Sequence, residues 1–137
     1  MKIMIGNLDR AIREEMFNLH SCFVDNEATE KDFFKRQVEV KTIDLTKIDS
    51  EVTKRYLSRM SSDDLMKYYK VTLQEPTKYA VVSGDCLVDG LHRICAKIAA
   101  GEKTMKVVDF GRLLDPACSG YQTKIKFMLE NKNELTR

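Results

Sequence analysis

A run of five residues, Asp89-Gly90-Leu91-His92-Arg93, combines groups that suit the binding of an anionic ligand. The apolar residues that follow are spaced as on one face of a helix, so a helix is predicted to begin near Gly90. The unpaired N–H groups and the dipole of such a first turn attract phosphate. Arg93 would add a permanently charged fork for phosphate oxygens, and His92 a hydrogen bond near neutral pH. The run therefore predicts a phosphate site at Gly90, Leu91, His92 and Arg93.

Asp89 is the member of this run that a phosphate site does not need. A carboxylate beside phosphate is repelled unless it holds a cation, accepts a proton or caps the helix. Two interpretations of Asp89 stay open here. It is either a catalytic and magnesium-binding carboxylate, with His92 as the other catalytic candidate, or an N-cap. Asp44, Asp49 and Glu51, in or just after the first predicted strand, are equal candidates for a second carboxylate.

The segments around this run predict a hairpin, a helix and a returning strand. Residues 79–82 and 86–88 are apolar and flank Ser83-Gly84-Asp85, a composition typical of a tight hairpin turn. Gly101 stands where a left-handed cap is expected to end the helix, and residues 105–110 then have the pattern of a strand. This order predicts an α+β fold, with a small mixed sheet and helices packed on it.

Periodicity elsewhere predicts further helices and one earlier strand. Apolar residues between Leu8 and Phe23 recur every three or four positions, which indicates a helix with Asn7 as its N-cap. Alternation over 38–42 predicts a strand, and the capping box Ser61-Ser62-Asp63-Asp64 predicts the start of another helix. Two more helices are predicted over 51–59 and, in the tail, from Tyr121 to Leu129.

Composition favours an ordinary single domain. The 137 residues are 43% hydrophobic and 32% charged, with a formal net charge of +2. No apolar stretch approaches the about 20 residues that span a bilayer, and the first residues lack a secretory signal, so we expect a cytoplasmic protein without a membrane partner. The four cysteines are scattered, which predicts reduced thiols rather than a zinc site, and His20 is predicted to lie at the surface or its boundary.

The segment from Glu75 to Ala96, with Gly101 and the strand after it, resembles the ParB/sulfiredoxin superfamily. The shared features are a proline before a strand, a hairpin, a D-G-x-H-R turn, an alanine-rich helix that ends in glycine, and a further strand. The resemblance extends from Gln37 to Phe110. It implies a single domain over 1–137, with a superfamily-like core at 37–110 and helical extensions at 1–36 and 111–137.

The resemblance also implies a ligand. Members bind ATP, ADP or CTP, usually with Mg²⁺, and Gly90, His92 and Arg93 match their phosphate-binding positions. Asp89 matches the acidic residue of ADP-dependent serine kinase-like members. Leu91 stands where sulfiredoxins have their reactive cysteine, which argues against sulfinic-acid repair. The segment 111–137 is too short for the DNA-binding domain that follows this module in partition proteins.

These observations predict a small nucleotide-binding protein that catalyses phosphoryl transfer or nucleotide hydrolysis. The alternatives are a non-catalytic nucleotide switch, a DNA-binding ParB-like module, and a ParB-like nuclease. Between Leu91 and Arg112, five basic residues stand against two acidic ones, a local net of +3 that is compatible with DNA contacts. The identity of the nucleotide, the phosphate acceptor and the oligomeric state stay open.

Overall fold

The computed structural model describes residues 1–49, 51–74, 78–84, 86–115 and 126–127, with the backbone alone at 49, 51, 52, 56, 72, 126 and 127. The helices are α1 (Arg10–Phe23), α2 (Glu30–Phe34), α3 (Glu51–Arg59), α4 (Ser62–Gln74) and α5 (Leu91–Ala99). The strands are β1 (Lys2–Met4), β2 (Gln37–Asp44), β3 (Ile48–Asp49), β4 (Ala80–Ser83), β5 (Cys86–Asp89), β6 (Thr104–Asp109) and β7 (Lys126–Phe127). Three short 3-10 turns lie at Ile5–Asn7, Leu45–Lys47 and Gly111–Leu113.

Five of these strands form one mixed sheet in the order β1-β2-β6-β4-β5. The pairs β1–β2, β2–β6 and β4–β5 are antiparallel, whereas β4 and β6 are parallel. The chain leaves the β4–β5 hairpin, passes through α5 and returns as β6 beside β4. The predicted α+β fold with a small mixed sheet is therefore confirmed. A separate two-stranded sheet joins β3 to β7.

Helices cover both faces of the five-stranded sheet, because successive residues of a strand point to opposite sides. On one face, Met16 of α1 and Phe33 of α2 belong to the same buried cluster as Val81 of β4. On the other face, Ile94 of α5 is buried with Val82 of β4, and α3 and α4 pack against α5. The turn between β5 and α5 lies at one edge of the sheet, because β5 is its last strand.

Several local predictions need correction. Asn7 is not the cap of α1, because the helix begins at Arg10 and the Asp9 carboxylate accepts the Ala11 N–H at 3.2 Å. His20 is 3% exposed rather than at the surface, and its Nδ1 lies 2.6 Å from the Leu113 carbonyl oxygen.

Three of the described strands, β1, β3 and β7, were not predicted from periodicity. Residues 1–36 supply the edge strand β1 in addition to α1 and α2. Of the helix predicted from Tyr121 to Leu129, the structure describes only Lys126–Phe127, which form β7, so that prediction is wrong there. The rest of that segment lies outside the described residues. None of the described helices has the length and apolar character needed to cross a membrane.

Candidate functional site

Gly90 forms the turn between β5 and α5. It is the N-cap residue of α5, with φ +105° and ψ 21°, in the left-handed region. A Cβ atom built at this position would lie 2.7 Å from the Cβ and 2.8 Å from the Cα of Ala80. Glycine is required because the turn is pressed against the start of β4. Since Gly90 occupies the N-cap position, the interpretation of Asp89 as the N-cap is wrong.

The first turn of α5 offers backbone donors, as the sequence predicted. The first intrahelical hydrogen bond that the structure shows in α5 runs from the Ile94 N–H to the Gly90 carbonyl oxygen at 3.1 Å. The N–H groups of Leu91 and Arg93 precede that bond, at positions where an α-helix supplies no intrahelical acceptor. The positive end of the helix dipole lies at the same place.

Arg93 reaches from α5 to the segment before β4. Its Nη1 donates to the carbonyl oxygen of Tyr79 at 3.1 Å, and its side chain is half-buried. This hydrogen bond fixes the guanidinium group beside the hairpin instead of leaving it to move in solvent. A fixed guanidinium group loses less conformational entropy when it binds an anion than a mobile one does.

Glu15 of α1 joins this cluster, although the sequence did not single it out. Its carboxyl is half-buried, and burial raises its pKa above the ordinary value. The negative charge of Asp89 raises the pKa further, whereas the positive charge of Arg93 lowers it. The charges of Asp89 and Arg93 therefore both act on the Glu15 carboxyl of α1.

His92 lies on a different side of the helix from Arg93. Its side chain is exposed, and its ring stacks on Tyr68 of α4 with a centroid separation of 5.0 Å and an interplanar angle of 17°. Consecutive residues of an α-helix diverge by about 100°, which accounts for this separation. His92 stays beside the first turn of α5, but it faces α4 rather than the carboxylates.

Asp44 is not brought to the site. It accepts hydrogen bonds from the N–H and hydroxyl groups of Thr46, at 2.9 and 2.6 Å, within the 3-10 turn after β2. Strand order and register place it three strands and about four residues from Asp89, which is about 20 Å at ordinary sheet spacings. The side chains of Asp49 and Glu51, the other two candidates, lie outside the described part of the structure. Glu15 of α1, in contrast, is a carboxylate whose pKa responds to the charge of Asp89.

The donor set suits a magnesium ion that arrives with phosphate. Within the described residues, no group of three or more His, Cys, Asp or Glu side chains is placed to hold a metal ion. Mg²⁺ is commonly held by one or two carboxylates together with phosphate oxygens and water. Asp89 and Glu15 would be the two protein ligands, and the ion would neutralise charge on the phosphate groups.

The basic residues between Leu91 and Arg112 do not gather into one patch. Arg93 is directed to Tyr79, and the Lys97 ammonium group lies 5.5 Å from the centre of the Tyr69 ring. Lys106 alternates with buried residues of β6 that face α5, so it lies on the opposite face of the sheet. The local net charge of +3 is thus divided between two faces, and DNA binding stays a prediction.

Comparison with known proteins adds nothing to this description. No protein-family model, no curated protein and no solved structure matches the chain. The resemblance to the ParB/sulfiredoxin superfamily therefore stays a prediction from the D-G-x-H-R turn and its neighbouring elements.

Proposed function

We propose that the protein binds a nucleotide at the N-terminus of α5 and transfers or hydrolyses its terminal phosphoryl group with the help of Mg²⁺. The observation that carries this proposal is the first turn of α5, where the Gly90 N-cap directly follows Asp89 and the Arg93 guanidinium group is held by the Tyr79 carbonyl oxygen. Phosphoryl transfer depends mainly on positioning and on neutralising charge, and these are the tasks that such groups perform.

The phosphate is held by two kinds of donor. The N–H groups of Leu91 and Arg93 supply hydrogen bonds at the positive end of the helix dipole. The Arg93 guanidinium group, oriented by Tyr79, supplies positive charge and further N–H donors. Both kinds of donor favour ATP, ADP or CTP over an uncharged ligand of similar size.

The carboxylates of Asp89 and Glu15 act on the magnesium ion that accompanies the phosphate. Asp89 and Glu15 repel a bare phosphate but attract a phosphate-bound magnesium ion. Glu15, whose pKa is raised by burial, is also a better proton acceptor than an ordinary carboxylate. His92 is the remaining catalytic candidate, and its place beside Tyr68 puts it on the α4 side of the phosphate position.

Nucleotide binding is tested by thermal shift with ATP, ADP, CTP and GTP, each in the presence of Mg²⁺. A ligand that binds only the native state raises the melting temperature. We expect Arg93→Ala to weaken binding about ten- to a hundredfold, because a charge-assisted hydrogen bond is lost. Lys106→Ala removes an equal charge from an exposed position on the other face of the sheet and should bind as the wild type does. No shift with any nucleotide at millimolar concentration would contradict the proposal.

Catalysis is tested separately from binding. Asp89→Asn and Glu15→Gln should lose most turnover, whereas their affinity for the nucleotide without Mg²⁺ should stay within a few-fold of the wild type, since each neutralises a carboxylate without adding bulk. Full turnover by a folded Asp89→Asn protein would remove the catalytic role. The non-catalytic nucleotide switch would then be the better interpretation. Magnesium-dependent nicking of plasmid DNA, lost in the same two variants, would favour the nuclease alternative instead.

A further inference from the structure

The outer side of α4 carries an apolar stripe that the rest of the described fold does not cover. Met66 and Leu73 have 54% and 59% of their surface exposed, and they lie two turns apart on one side of the helix. Tyr69 lies between them, and Ser62 lies one turn before Met66. These four residues are spaced by four, three and four positions. Contact positions in paired helices have the same spacing, which repeats every seven residues.

A groove adjoins this stripe. It is a depression of about 420 Å³ between α4 and α5. Alanines of α5 form one side, and their small side chains leave room for the backbone of another helix to approach. The Tyr69 ring is fixed within the groove, because its hydroxyl donates to the Glu102 carboxylate at 2.6 Å. The lining residues are Ser62, Leu65, Met66, Tyr69, Ala96, Ala99 and Ala100.

The charges beside the stripe indicate what covers it. Asp63 and Lys70 are both exposed, and they lie seven residues apart on the same flank of the stripe. When two helices pair antiparallel, the same flank of each helix faces its counterpart. Asp63 of one copy then lies opposite Lys70 of the other, and the twofold axis repeats this pair. A parallel arrangement of two α4 helices does not bring these two charges together.

We propose that α4 is the dimerisation helix of this protein, and that two copies pair antiparallel through the Met66–Leu73 stripe. The dimer has twofold symmetry, with Asp63–Lys70 ion pairs at both ends of the contact. The helix of 13 residues is about 20 Å long, so the buried area falls at the low end of specific interfaces. The dimer should accordingly dissociate at micromolar rather than nanomolar concentrations. This proposal does not depend on the nucleotide site.

Sedimentation velocity from micromolar to millimolar protein tests the dimer directly. The wild type should change from monomer to dimer over this range. Met66→Glu, which puts two carboxylates at the centre of the contact, should remain monomeric throughout. Lys67→Glu is the matched control, since Lys67 is exposed and points away from the stripe, and it should dimerise as the wild type does. A wild type that is monomeric at the highest concentration would overturn the proposal and leave the groove to a different partner.

A charge exchange tests the antiparallel arrangement. Asp63→Lys and Lys70→Asp should each weaken the homodimer about tenfold, because both symmetric pairs become repulsive. An equimolar mixture of the two variants should form a heterodimer as tightly as the wild type, since both pairs are then attractive. A mixture that stays as monomeric as its components would overturn the arrangement. Circular dichroism checks that both variants fold, and if Asp63→Lys does not, Lys70→Asp carries the test, because a parallel pairing would leave its dimer affinity unchanged.

Discussion

Gly90 is the residue at the candidate site whose identity the backbone constrains most directly. It combines a φ of +105° with an approach to Ala80 that leaves no room for a Cβ atom. Gly90→Ala should lower the free energy of unfolding by about 3 kcal/mol, as the sum of left-handed strain and overpacking. Gly101→Ala is the control, because Gly101 has a φ of +81° but no neighbouring atom within 4 Å. Gly101→Ala should lower the free energy of unfolding only by the left-handed strain, about 1 kcal/mol.

Urea unfolding of the two variants measures this difference. Equal losses in Gly90→Ala and Gly101→Ala would show that the contact with Ala80 has no energetic weight. The turn that contains Gly90 would then be less firmly held against β4 than the distances indicate.

Glu15 should destabilise the fold when it is ionised, whereas an ordinary carboxylate in an ion pair stabilises the fold when it is ionised. Burial and the charge of Asp89 raise the Glu15 pKa, so the native state holds its proton more tightly than the unfolded state does. The penalty for ionising Glu15 is therefore present at neutral pH and relieved as the pH falls through the raised pKa. Glu15→Gln should melt at a higher temperature than the wild type at neutral pH, and this difference should shrink in acid.

The matched control is Glu14→Gln in the next position of α1. Glu14 is exposed and bonded to Arg10 at 2.9 Å, so its replacement should give no rise at neutral pH. Thermal melts of the three proteins across the acidic range provide the measurement. A Glu15→Gln protein that is less stable than the wild type at every pH would show that the carboxylate is not strained by its neighbours.

At the scale of elements, Asp109 connects four parts of the fold. It is the last residue of β6. Its carboxylate accepts hydrogen bonds from the Lys41 ammonium group of β2 at 2.6 Å, from the Gly84 N–H of the hairpin at 3.0 Å, and from the Gly111 N–H of the following turn at 2.8 Å. Its side chain is only 11% exposed. Burial alone would raise its pKa, but these bonds outweigh burial and hold the pKa below the ordinary value.

Asp109→Ala should therefore lower the free energy of unfolding by about 3 kcal/mol at neutral pH, because three donors lose a charged acceptor. The Asp109 carboxylate stabilises the fold at pH values above the ordinary carboxyl pKa, and this stabilisation is lost as the pH falls through the lowered pKa of Asp109. The difference in unfolding free energy between the wild type and Asp109→Ala should therefore disappear in acid. Denaturant titrations at several pH values measure it. Asp44→Ala affects only a local turn, so it should lower the free energy of unfolding much less than Asp109→Ala does. A gap that does not change with pH would contradict the ionic part of this account.

At the scale of the whole molecule, Cys95 should report global unfolding. It has no exposed surface, lies between α5 and the helices packed on it, and its pKa is raised to about 11 by burial. The thiolate is the reactive form, so native Cys95 should resist alkylation at mildly alkaline pH. Exposed Cys22 should react readily. Mass spectrometry of iodoacetamide-treated protein in rising urea measures both rates.

We expect Cys95 labelling to rise in parallel with the loss of helical circular dichroism, whereas Cys22 labelling should change little. Labelling of native Cys95 at the rate of Cys22 would contradict the buried position of α5. If the proposed turnover is observed, a folded Cys95→Ala protein should keep it, because the buried thiol of Cys95 is not available as a nucleophile.

Local signals in the sequence predicted the elements that surround the site. The hairpin, the start of α5 at Leu91 and the strand β6 were all predicted correctly, because turn residues and apolar spacing act over a few positions. The cap of α1 was misplaced by two residues, since Asn7 and Asp9 are both good caps and only packing selects one. The edge strand β1 was missed because three residues are too few for an alternating pattern to be seen.

The sequence by itself determined the α+β class, the helix that begins after Gly90 and the donors of its first turn, because these depend on local backbone preferences and on burial of apolar faces. Tertiary structure alone decided which charges meet there. Packing of α1 on the sheet exposes Glu15 to the charges of Asp89 and Arg93, and strand order separates Asp44 from Asp89 by about 20 Å. Tertiary packing also places the His92 ring against the Tyr68 ring of α4. Such contacts join residues that are distant in sequence, and no local pattern of one chain encodes them.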